Sequence, residues 1–97
     1  MKVFKMNEYD WVAAKNEEQA KIFYEQFIDR EEIDEYFEGE VPLEDTMFLW
    51  EEDVPVNERH KFSRDEIGGK TVYYVPFSWV ITHQKITEPC IIASTEW

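Results

Sequence analysis

The sequence predicts an α+β fold: a small mixed or antiparallel sheet of four or five short strands, with one main helix at about 16–29 and one or two short helices. Three observations carry that expectation. Short runs rich in β-branched and aromatic residues lie near both ends of the chain, a stretch of helical apolar spacing follows the first of them, and Gly and Pro mark the breaks between. With 97 residues, of which 16% are aromatic and only three are Gly, the chain has the apolar content for one modest core, so a single domain spanning 1–97 is expected.

The elements follow in order. MKVFKM and YDWVAA (9–14) read as two strands of a hairpin joined at Asn7-Glu8. Asn16 then caps a helix with Gln19 three residues on, and Glu17 and Glu18 occupy the first turn, where the helix dipole favours negative charge. Ala20, Phe23, Tyr24 and Phe27 share one face of it. Residues 30–37 form a second short helix on Ile33, Tyr36 and Phe37, with Gly39 just past its end. TMFLWEE (46–52) reads as a strand and VPVNER as a loop around Pro55. Ser63 and Glu66 fit the spacing of a capping box, but Gly68-Gly69 follows so soon that only one turn of helix or a hairpin loop has room. KTVYYV (70–75) is a strand, Pro76 opens a short helix through PFSWVITHQ, and CIIAS (90–94) is a buried last strand placed beside WVAA.

Charge is distributed very unevenly. The chain carries 22 acids against 10 bases, a formal charge of −12. Residues 1–30 hold six acids and five bases, and 59–97 hold four and five, whereas 31–58 hold twelve acids and no Lys or Arg. Eleven apolar residues from Ile33 to Val56 are threaded through this block, which points to a folded acidic face rather than a tail.

That charge disfavours direct binding to nucleic-acid phosphates and to anionic membranes, both of which need clustered Lys and Arg, and favours a basic protein surface. The lone Cys90 cannot form an internal disulfide, no apolar run approaches a membrane span, and the charged N-terminal residues do not form a signal peptide. A cytoplasmic location is expected. No cofactor is implied.

Catalytic and metal chemistry find no pattern. His60 and His83 have no Cys or His at ligand spacing, no calcium-loop motif occurs, and acidic clusters such as Glu44-Asp45 or Glu51–Asp53 more often form solvated surface than a metal site. Cys90 lies in an apolar run where burial raises a thiol pKa, Ser63, Ser78 and Ser94 lack a glycine elbow, and no Gly-rich phosphate loop is present. No catalytic residue is assigned and the chain is not expected to be an enzyme.

The aromatics supply the better signal. Trp11 and Trp79 are expected in the core, and Trp97 either packs on the sheet or is exposed. Trp50 reads either as core or, with Phe48 and the carboxylates of Glu44, Asp45, Glu51, Glu52 and Asp53, as a partner-binding anchor, since Trp concentrates at binding-energy centres. The two ends, MKVFKMNEYDWVAAKNEEQA and PCIIASTEW, resemble small proteins encoded in phage and prophage genomes. The resemblance brings no functional residue with it, and implies action inside a bacterial cytoplasm. Two functions are therefore carried forward: a phage-type binder of a basic protein surface, for which inhibition by nucleic-acid mimicry is one way to act, and a non-catalytic accessory or structural domain that is acidic for solubility and able to form a homodimer.

Overall fold

The structure is a computed structural model and describes residues 1–95. The expectation for Trp97 lies outside the described residues. The fold is α+β, but its strands form two antiparallel sheets rather than one. The first contains β1 (Lys2–Lys5), β2 (Asp10–Ala14), β3 (Gly39–Val41) and β7 (Cys90–Ser94) in the order β3-β1-β2-β7. The second contains β4 (Thr46–Trp50), β5 (Ser63–Ile67) and β6 (Lys70–Pro76) in the order β4-β6-β5. Three α-helices, α1 (Glu17–Tyr24), α2 (Arg30–Tyr36) and α3 (Phe77–His83), complete the frame, with 3-10 turns at Glu51–Asp53 and Val56–Lys61. Among the described residues no helix is long and apolar enough to cross a membrane.

The β1–β2 hairpin forms where the alternating apolar residues predict it. Asn7 Oδ1 accepts from the amides of Tyr9 and Asp10 at 2.8 and 2.9 Å, so its side chain stands in for a backbone turn. Asn16 caps α1 by accepting from the Gln19 amide at 2.8 Å, and Gln19 Oε1 reaches back to the Lys15 amide at 2.7 Å.

The helix ends at Tyr24 instead of continuing to 29. Phe27 is 55% exposed and does not share the buried face of Ala20 and Tyr24. The chain turns over 25–28, closed by the Phe27 and Ile28 amides donating to the Tyr24 carbonyl, and restarts as α2 after Asp29. Arg30 locks this bend: its Nη2 donates to both Glu18 carboxylate oxygens at 2.8 Å, and the guanidinium also meets Glu25 at 3.2 Å and Asp34 at 3.4 Å.

The four-stranded sheet is the central layer, because its two faces feed different cores. Phe4, Met6, Val12 and Ala14 pack against Ala20, Tyr24 and Ile33 of α1 and α2. Val3 and Ala13 face Leu49, Tyr73 and Val75 of the second sheet together with Phe77 and Val80 of α3. β7 does pair with β2, but a one-residue irregularity between Trp11 and Val12 leaves Ile92 without an opposite residue. The bulge turns Ile92 toward the same core as Ala93. Only Ile92 of this strand is buried, so β7 is a half-covered edge rather than a buried strand.

Two more sequence expectations are corrected, and one that was left open is resolved. Strand β4 stops at Trp50, and Glu51–Asp53 wind into a 3-10 turn. The stretch around Pro55 is not loop throughout, since 56–61 form a 3-10 helix. Ser63–Ile67 is strand β5, and Gly68 and Gly69, with φ of +58° and +80°, make the two-residue connection that a hairpin of this register requires.

Candidate functional site: a groove between two edge strands

β4 and β7 are the facing edges of the two sheets, and a groove of about 430 Å³ lies between them. β4 supplies Met47, Phe48, Leu49 and Trp50 to its wall, and Trp11, Phe77, Ile92 and Ala93 lie opposite or beneath. Phe48 and Trp50, singled out from the sequence, both line this groove, whereas the opposing wall depends on which edges the two sheets present to each other and has no local signature.

Trp50 is half-buried. Its ring meets Phe48 edge-on at 5.5 Å, as alternate residues on one face of a strand allow. The Lys70 ammonium lies 5.6 Å from the Trp50 ring centre, so the aromatic anchor carries a cation already.

The acids named from sequence do not ring Trp50. They occupy the two ends of β4, a strand of five residues and so about 16 Å long. Glu44 and Asp45 are exposed at the start, held there because the Phe77 and Ser78 amides at the beginning of α3 donate to the carbonyls of Asp45 and Leu43 at 2.9 and 3.1 Å. Glu51, Glu52 and Asp53 follow its end. Behind them, Arg59 donates to the Val54 carbonyl at 2.9 Å and the Glu51 carbonyl at 2.8 Å, fixing the turn while the carboxylates stay clear of the guanidinium bonds.

The remaining acids of 31–58 divide sharply. Asp34 pairs with Lys21 at 2.9 Å, Glu38 with Lys5 at 3.4 Å, Glu40 with Lys2 at 3.9 Å and Glu58 with Lys61 at 3.2 Å. The Trp79 indole also donates to Glu58 at 3.1 Å, and this bond, followed by Lys61, holds the Glu58 carboxyl below the usual range. Trp79 itself is half-buried, stacked on His83 at 4.4 Å and edge-on to Phe62 at 5.2 Å. Among the described residues, the other eight acids of the block make no ion pair. Three of these lie on α2 (Glu31, Glu32, Glu35), and five lie at the ends of β4.

Other chemistry has no such convergence. Burial pushes the Cys90 thiol up. Among the described residues no group of three or more His, Cys, Asp or Glu side chains is placed to hold a metal ion. Comparison with known protein families, with curated proteins and with solved structures returns no match.

Proposed function

We propose that this is a phage-type acidic protein that binds a basic protein surface in the bacterial cytoplasm, with the β4 rim as its contact. Phe48 and Trp50 supply apolar anchors in a groove, and unpaired carboxylates at both ends of the strand attract and orient a cationic partner. One observation carries the proposal: among the described residues, cations from outside the acidic block pair with four of its acids, and none of them pairs with the five that flank the groove. Two acidic groups at opposite ends of a strand about 16 Å long are also compatible with occupying a site that otherwise holds nucleic acid.

The test is affinity purification from bacterial lysate at low and high salt, followed by titration of the purified partner. Affinity should fall steeply with salt, because the screening length is about 8 Å at physiological ionic strength. Glu51→Gln/Glu52→Gln/Asp53→Asn should slow association, and Trp50→Ala should speed dissociation. An affinity that is flat with salt and survives the triple neutralisation sinks the proposal. A self-associating accessory domain is the second possibility, favoured by Ile22 and Phe27, which are 60% and 55% exposed on and just after α1. Light scattering separates the two, since only this one requires a dimer.

A further inference from the structure

A second cavity, of about 390 Å³, opens on the helix side of the central sheet between the β1–β2 turn and α2. Its floor is apolar and fixed: Met6, Tyr24 and Ile33 are each at most 2% exposed. Tyr9 and Tyr36 also line it, and at 45% and 55% exposure they are among the few large side chains left facing solvent.

The polar lining is one-sided. Glu8, Asp10 and Glu32 contribute carboxylates, no Lys or Arg lines the cavity, and none of the three acids is ion-paired among the described residues. Asp10 is preorganised, since one of its oxygens accepts from the buried Tyr24 hydroxyl, which in turn accepts from Asn7 Nδ2 at 3.0 Å. A carboxylate has acceptor capacity beyond that one bond.

We propose that this cavity is a binding site for one arginine side chain presented by a polypeptide. A cavity of this volume is in the range of ligand sites. Its exposed tyrosines offer ring faces to a planar guanidinium, its carboxylates accept the fork of N–H donors, and Met6, Ile28 and Ile33 cover an aliphatic stem. An ammonium would use the charge but not the planar stacking. The site stands on a different face of the central sheet from the β4 groove and does not rest on that groove being functional.

The test is an amide-resolved NMR titration of the full chain with N-acetyl-L-arginine methylamide, beside the lysine and norleucine analogues and free L-arginine. Saturable shifts confined to 6–10 and 28–36 are expected, with a dissociation constant of about millimolar for so small a ligand. The double variant Glu8→Gln/Glu32→Gln, at exposed positions, should weaken binding about fivefold, and Tyr36→Ala should weaken it at unchanged net charge. The norleucine analogue should not bind. Equal binding of the lysine or norleucine analogue overturns the assignment, as does tighter binding of free L-arginine. Unsaturable shifts spread evenly over 44–53 and the cavity overturn it too, because they mark diffuse attraction to a chain of charge −12.

Discussion

The Tyr24 hydroxyl, at the last residue of α1, donates to the carboxylate of Asp10 at the first residue of β2. Tyr24 is 2% exposed, so this bond ties the point where the helix stops to the point where the hairpin's second strand begins. Tyr24→Phe keeps the ring packing and leaves Asp10 without its buried donor. The expected loss is about 1–2 kcal/mol, since bonds to charged groups are the stronger kind. Urea unfolding, with the midpoint lowered and the slope unchanged, is the measurement.

At the end of α3, Lys85 adopts φ of +53°, the left-handed region that favours glycine. The Ile86 amide donates to the Ile81 carbonyl at 3.0 Å and the Lys85 amide to the Thr82 carbonyl at 3.3 Å, which closes the helix in a Schellman arrangement. Lys85→Gly should stabilise the protein by about 1 kcal/mol, because the left-handed conformation costs an L-residue about that much. Lys85→Ala, which keeps the Cβ, should show no such gain in a thermal melt.

Glu58 titrates below its ordinary range because the Trp79 indole and then Lys61 favour its charged form. A depressed carboxyl contributes stability above the unfolded-state pKa, and that contribution is lost as pH falls through the folded-state value. Glu58→Gln should therefore be less stable than wild type at pH 7, with the gap closing below about pH 4.3, the ordinary glutamate value. Denaturant melts at several pH values check this, and a gap independent of pH would contradict it.

Arg30 divides its effect unequally between two acids. It is the largest cause of the lowered Glu18 carboxyl, whereas Asp34 is held down first by Lys21. Arg30→Ala should return Glu18 toward its ordinary pKa and leave Asp34 depressed. Carboxyl-carbon NMR titration of the two side chains separates these outcomes.

Elements with a strong local signature were readable from sequence. Asn16 and Gln19 mark the start of α1, Pro76 marks that of α3, and the small and β-branched residues of 90–94 pair with β2. The end of α1 was not, because Phe27 continues the helical spacing while the Arg30–Glu18 pair that closes the bend joins residues twelve positions apart. β5 was ambiguous for a related reason. Four of its five residues are exposed and polar, so it is held by backbone pairing with β6 rather than by an apolar alternation. Phe48 and Trp50 were legible as a pair on one strand, but the groove wall from β2 and β7 was not, since nothing local specifies that one sheet becomes two. The second cavity joins Asn7–Asp10 to α2, a juxtaposition made only by packing.

The central sheet hands its residues alternately to two cores: Val3 and Ala13 to one, Phe4, Val12 and Ala14 to the other. Neither core can be emptied without stripping one face from β1 and β2, and the exposed face of a bare sheet is too costly to persist. The two clusters are thus coupled through shared backbone. Heating should melt them in one all-or-none step, and the amides of β1 and β2 should exchange with solvent more slowly than any others, at the rate of global unfolding.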